Sequence, residues 1–434
     1  MQFKSLIGDS KTSFKKALFT GVAPNSSLYI PDYLPQLSQD FLQNMATFSL
    51  EEMAYKILSM FIDDIPANDL SDIVNKAFNF NIPLNRLTPN IFLLELFHGP
   101  TLAFKDIGAR FLAETLSYYL KNTSGPLNIV VATSGDTGSA VAQGFYGVPH
   151  INVFILYPKN KVSRLQEKQM TTLGKNIHAL EIDGTFDDCQ ALVKQALIDP
   201  DLQKMSISTA NSMNIGRLLP QIVYYFWGLA CLQRKGFDHS TIVVPSGNFG
   251  NITAAAYAKA MGGSIKKLIA ATNMNDVVPQ YLQTGILSPQ VSKLSLSNAM
   301  DVGYPNNLVR LQSLYKNDFQ QLKENIISIS VSDVDTLQEI FETYQTSQYI
   351  LDPHTAVGVR VAKDCLNNAD VAIVAATAHP GKFSEVIQQA LGFVPALPSE
   401  LQILENRTIS KTCLSVDFGC FKSYLNDVCD RKVL

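Results

Sequence analysis

Apolar residues in the first 88 positions recur at helical spacing between polar turns, most clearly at Glu51 to Phe61 (EEMAYKILSMF) and Asp69 to Phe78 (DLSDIVNKAF). A break at Tyr29-Ile30-Pro31 precedes both. This pattern predicts a helical cap with no chemistry of its own. From about residue 90 the pattern changes to a strand, a Gly/Ser loop and a helix, repeated. Short continuous apolar runs predict strands at Ile91 to Leu96, Asn128 to Thr133, Ile151 to Leu156, Ile177 to Ile182, Thr241 to Pro245, Lys267 to Thr272, Ile326 to Val331 and Val371 to Thr377. Helical periodicity follows most of them, ending near Tyr146, starting near Ser163, spanning Phe186 to Ile198 and Ile215 to Leu232, and ending near Met261. Apolar strands alternating with helices imply an α/β fold with parallel sheets covered on both faces. Residues 285–325 are less regular, and the tail after Pro395 is irregular and mixed.

At 434 residues the chain suits two or three domains rather than one core. Hydrophobic residues make up 46% and charged residues 17%, far from the signature of disorder. The net charge of −3 gives no basic field that would suggest nucleic acid or an anionic membrane. Cys189, Cys231, Cys365, Cys413, Cys420 and Cys429 are widely spaced with no CxxC pair, which reads as reduced thiols in a cytoplasmic protein. The first residues, MQFKSLIGDSKTSFKKAL, lack the apolar stretch of a signal peptide, and no membrane span is expected.

The chemistry starts at Lys105. It stands where a loop, His98-Gly99-Pro100-Thr101, gives way to helical spacing at Ile107, Phe111, Leu112, Leu116 and Tyr119. Desolvation and the positive end of a helix dipole both favour its free amine, the form that attacks a carbonyl. The alternative is a lysine with a packed stem and a solvated head. In a parallel sheet, ligands collect at the carboxyl ends of strands. Four such loops qualify here. Thr133 to Ser139 (TSGDTGS) offers free amides to a carboxylate or phosphate, or is a plain N-cap through Ser134, Asp136 or Thr137. Ser246 to Asn251 (SGNFGN) lets backbone approach an anion at a helix start, or is a structural turn. Thr377 to Phe383 (TAHPGKF) carries a hydroxyl suited to a ring nitrogen, and His379, which is more often structural beside a proline. Asp352 to Gly358 (DPHTAVG) is first of all a helix cap with proline at its first turn. Lys159, Lys161 and Arg164, in a basic loop, could hold a phosphate or simply be solvated; Asn211 could contact a ligand or cap the helix from Ile215. No H-E-x-x-H, G-x-S-x-G, dinucleotide or P-loop motif and no metal-ligand cluster occurs.

A lysine, a phosphate-gripping glycine loop, a carboxylate-gripping Ser/Gly/Thr loop and a strand-end Thr together suit pyridoxal 5′-phosphate. Eight blocks then resemble the threonine synthase family, in the same order: HGPTLAFKD (98–106), ATSGDTGSAVA (132–142), ILYPKNKVSRLQEK (155–168), PSGNFGN (245–251), AATNMNDVVP (270–279), LSNAMDVGYPNN (296–307), DPHTAVG (352–358) and ATAHPGKF (376–383). TGVAPNSSLYIP (20–31) is similar too, with Asn25-Ser26-Ser27 where the family tends to have an acidic-glycine turn. The resemblance implies fold type II of the pyridoxal-phosphate enzymes, like the tryptophan synthase β chain. It implies an N-terminal helical region (1–88), a large cofactor-binding domain (89–125 and 240–434) and a smaller mobile domain (126–239). Lys105 would be the Schiff-base lysine, and Gly247, Asn248, Phe249, Gly250 and Asn251 would hold the cofactor phosphate. Thr377 would meet the pyridine nitrogen; Ser134, Asp136 and Thr137 would bind the amino-acid end of the substrate. Lys159, Lys161, Arg164 and Asn211 are candidates for its phosphate end. The reaction implied is a lyase reaction, O-phospho-L-homoserine plus water giving L-threonine plus phosphate, in a cytoplasmic monomer or homodimer without metal. The rivals are a threonine or serine dehydratase, a cysteine synthase, and a cofactor-free binding protein in which Lys105 is inert.

Overall fold

Three sheets organise this computed structural model, which describes residues 1–8, 10–121, 125–367 and 370–430. In chain order the strands are β1 (Gln2–Ser5), β2 (Lys11–Ser13), β3 (Tyr29–Pro31), β4 (Leu84–Arg86) and β5 (Ile91–Glu95). Next come β6 (Leu127–Ala132), β7 (Ile151–Pro158), β8 (Ile177–Ile182), β9 (Ile207–Thr209) and β10 (Ser240–Pro245). The last are β11 (Ile265–Thr272), β12 (Ile326–Ser330), β13 (Ala372–Ala376) and β14 (Thr412–Leu414). The large sheet has the order β12-β11-β10-β13-β5-β4 and is parallel except for β4, which runs antiparallel to β5. The smaller sheet, β14-β8-β7-β6-β9, is parallel throughout. Every residue of β6, β7 and β13 is buried, as strands covered on both faces must be.

The N-terminal region carries the expected helices at Leu50–Leu58 and Ala67–Ala77, the first closed by a capping box between Ser49 and Glu52. It also carries the antiparallel ribbon β2-β1-β3, which periodicity did not announce because strands this short hardly alternate. Asn25 and Ser26 both take left-handed backbone, with φ of 58° and 57°, in the turn where the family pattern has glycine. Between 285 and 325 the chain forms short helices at Leu308–Leu314 and Phe319–Asn325.

Two segments lie elsewhere than the expected domain division puts them. Helix Ile222–Gln233, counted with the smaller domain, packs on the Leu50–Leu58 and Gly250–Ala260 helices and on β4. The tail, counted with the large domain, returns to the smaller one. There β14 pairs with β8, and Phe421 and Leu425 share a core with Phe154 and Leu180. Periodicity shows that a face is buried, not which sheet buries it. Contrary to the expectation of no such span, Ile215–Gln233 is long and apolar enough to cross a membrane by length and composition. Its apolar stretch is 89% buried inside the fold, which accounts for its character.

The loops after β13 and β10 in the large sheet and after β6 in the smaller one, with Phe104 and Lys105 beyond β5, line a common cleft.

Candidate active site

Lys105 is the first residue of the helix Lys105–Leu120. The loop before it is sewn to the end of β13. Leu96 N–H donates to the Ala376 carbonyl at 2.9 Å, Phe104 N–H to the Thr377 carbonyl at 2.9 Å, and His379 N–H to the Leu102 carbonyl at 3.1 Å. Tyr224 Oη donates to the Phe104 carbonyl at 2.7 Å. The turn itself is closed by buried Asp106, which accepts from Thr101 N–H at 2.9 Å and Thr101 Oγ1 at 2.5 Å. Lys105 therefore lines the cleft from a fixed base, half-buried, with Thr377 in the same lining. Burial pushes its ammonium down to about 8; Asp136 opposes this, while Lys382 and Arg217 add to it.

Across the cleft, β10 ends in Ser246-Gly247-Asn248-Phe249 and the helix Gly250–Ala260 begins. A Cβ on Gly247 would stand 2.5 Å from Met300 Cα, so only glycine lets this loop pass. Phe249 is left-handed at φ 58°, which turns the chain into the helix. The first amides of that helix lack an acceptor one turn back. Asn248 is held on two sides: its Nδ2 donates to Ser212 Oγ at 2.9 Å, and its Oδ1 accepts from Asn306 N–H at 2.5 Å. Asn251 Nδ2 is buried and unpartnered, and its Oδ1 accepts from Tyr225 Oη.

The third wall is the loop after β6 and the helix Asp136–Phe145. Gly135, at φ 139°, lies where a Cβ would meet Gln166 at 2.4 Å. Ser134 and Thr137 line the cleft, and among the described residues neither hydroxyl has a partner. Asp136 lines it too, but its carboxylate is engaged. Lys382 Nζ donates to Oδ1 at 2.6 Å and Gln166 Nε2 donates at 2.9 Å. Burial would raise this carboxyl, yet Lys382, Lys105 and His354 outweigh it and hold it well below the usual range. Both bonds fall on Oδ1, and its backbone N–H, in the first turn of the helix, has no acceptor one turn back.

The phosphate-end candidates are not brought together in this cleft. Asn211 lines it, but its side chain clamps Ala132: Nδ2 donates to the Ala132 carbonyl at 2.7 Å and Oδ1 accepts Ala132 N–H at 3.0 Å. Lys159 points to Asp183, 3.9 Å away. Lys161 and Arg164 line an adjoining cleft, which the buried Lys382 also borders. Two wall residues, Arg217 and Gln221, went unremarked in the sequence, and His354 was read there only within a helix-capping loop. Arg217 is buried, with Nη1 donating to the Ala210 carbonyl at 2.6 Å and Nε unpartnered. Gln221, one turn on, has an unpartnered Oε1. Both interrupt an otherwise apolar helix, which was the available signal. His354 is held at both ring nitrogens: Nε2 accepts Ala299 N–H at 3.1 Å while Nδ1 lies 2.9 Å from Asp352 Oδ1. Asp352 also accepts from His354 N–H at 2.9 Å, so its capping role stands.

The cleft encloses about 100 Å³ and opens to solvent at its mouth. It joins a basic amine, a cup of free amides with one orphaned buried amide, and a strand-end hydroxyl that no described residue holds. These features fit a phosphorylated aldehyde with a ring nitrogen. Residues 79–376 match the family described as pyridoxal-phosphate dependent enzyme. Residues 3–78 match the threonine synthase N terminus, and 355–423 the threonine synthase C-terminal region. The fold and the cleft are those of a pyridoxal-phosphate dependent enzyme of fold type II. The chain is 42% identical over 419 residues to threonine synthase of Escherichia coli (strain K12), covering 96% of this chain and 97% of that one. It matches the crystal structure of that species' threonine synthase with a TM-score of 0.94 over 98% of this chain and 100% of the other. The pyridoxal-phosphate-bound threonine synthase of Brucella melitensis, 34% identical, matches with a TM-score of 0.91 over 99% of each chain. The chain belongs to the threonine synthase family.

Proposed function

We propose that this cleft converts O-phospho-L-homoserine and water to L-threonine and phosphate, with Lys105 as both cofactor anchor and base. The observation that carries the assignment of roles is that Lys105 and the 247–251 cup line one and the same cleft. Bound pyridoxal phosphate supplies an aldehyde that captures an amine and a ring that draws electrons from the adjoining carbon. The chain's own residues do the rest. The amides and Asn251 of the cup bind the cofactor's phosphate, and the Thr377 hydroxyl meets the ring nitrogen. Ser134, Thr137 and the first amides of Asp136–Phe145 bind the substrate carboxylate, where the helix dipole favours negative charge. Lys105 Nζ, whose ammonium burial pushes down to about 8, gives up its proton more readily than an ordinary lysine and takes one from the substrate Cα. For the substrate's phosphate the cations at hand are Arg217 in the wall and Lys161 and Arg164 in the adjoining cleft. Six free cysteines and a core-buried apolar helix suit a cytoplasmic enzyme.

The test is a pair of assays on purified protein. Phosphate release from O-phosphohomoserine, matched by threonine formation, supports the reading. Ketoacid formation from threonine, without phosphate release, replaces it with a dehydratase.

A further inference from the structure

Arg310, on the helix Leu308–Leu314, is fully buried, yet among the described residues no carboxylate pairs with it. All its donors go to neutral oxygens. Nε and Nη2 donate to the Tyr29 carbonyl at 3.1 and 3.0 Å, and Nη2 also donates to the Met213 carbonyl at 2.6 Å. Nη1 donates to the Ser212 carbonyl at 2.9 Å and to Asn307 Oδ1 at 2.5 Å. Dipoles of this kind satisfy the guanidinium's hydrogen bonds without cancelling its charge. A buried, uncancelled charge is costly unless a counter-ion lies near.

Asn307 links Arg310 to the cup at Asn248. Asn307, with its oxygen taken by Arg310, must turn its Nδ2 outward, where it donates to the Asn248 carbonyl at 2.9 Å and Ser212 Oγ at 3.0 Å. Asn307 N–H reaches the same Asn248 carbonyl at 3.3 Å. Because the peptide is planar and trans, drawing that carbonyl toward Asn307 turns the next N–H, on Phe249, the opposite way. So Arg310 fixes the orientation of one amide of the cup and leaves an unspent positive charge behind it.

We propose that Arg310 is a positioning residue for cofactor phosphate: it orients the 248–249 peptide through Asn307 and supplies the cation that an anion in the cup answers. The proposal rests on the reading of residues 247–251 as the phosphate cup. The experiment measures binding of pyridoxal phosphate and of unphosphorylated pyridoxal to the full-length apoenzyme by equilibrium dialysis, in wild type, Arg310→Lys and Arg310→Met. Arg310→Met is expected to weaken pyridoxal phosphate at least about tenfold while leaving pyridoxal within about twofold, with Arg310→Lys between wild type and Met. Equal weakening of both ligands, or no weakening, overturns the proposal and leaves the cup reading standing. A wild-type enzyme without preference for the phosphorylated ligand overturns the cup reading and the proposal together. If Arg310→Met fails to fold, Asn307→Ala, which cuts the relay but keeps the charge, decides the matter: selective loss of pyridoxal phosphate affinity supports it, and unchanged selectivity overturns it.

Discussion

Lys105 combines half-burial, two nearby cations and the positive end of a helix, and one opposing carboxylate does not cancel them. Its ammonium therefore titrates near 8 in the folded chain but near the ordinary lysine value when unfolded. Between those two values the unfolded chain binds more protons, so stability rises with pH across that window. Below pH 8 the penalty is complete. The apoenzyme is thus expected to gain thermal stability from pH 8 toward 10 relative to Lys105→Met, and parallel melting curves would refute this. Lys105→Ala is expected to remove both the yellow colour of the purified protein and turnover; retained colour would count against its anchoring role. The lysine was legible in the sequence because a strand, a Gly-Pro turn and a helix bracket it. Arg217 and Arg310 were not. Each sits in a helix whose other residues read as core, and nothing in one sequence says which polar groups end up facing them.

The loops that carry the site are narrow fits. Gly247 passes within clashing distance of Met300 backbone, which cannot give way as a flexible side-chain end would. Gly247→Ala should cost about 1–3 kcal/mol in stability and weaken cofactor uptake, measured by thermal unfolding and by dialysis against pyridoxal phosphate. Wild-type uptake in that variant would mean the loop has slack that its contacts do not show. At this scale the long strands and the Phe186–Ile198 helix were readable from periodicity alone. β9 and β14, three residues each, were not. Asn211 shows a different limit. An asparagine that clamps a strand and one that awaits a ligand are the same letter, and only the Ala132 bonds separate them.

The two sheets are joined through a buried ion pair. Lys382, beyond β13 of the large sheet, meets Asp136, beyond β6 of the smaller one, and also donates to the Thr101 carbonyl at 2.9 Å in the lysine's own loop. Both side chains are almost wholly buried, at 0% and 3% exposure, so the pair is not a screened surface contact. Lys382→Met should destabilise by roughly 3–5 kcal/mol, since it strands a buried carboxylate. Lys382→Met combined with Asp136→Asn should recover most of that loss in urea unfolding. A double variant as unstable as the sum of the singles would show that the two side chains do not act as a pair. The sequence offered both residues within recognisable blocks, but not their partnership, because 246 positions separate them.

The late strand β14 has a consequence for how the chain comes into being. It covers the flank of β8 only after roughly 230 further residues have been made, which at about 5–20 residues per second leaves that flank bare for tens of seconds. A nascent chain so exposed is open to sticking to its neighbours on the polysome, and slowing translation downstream of β8 should lengthen the hazard.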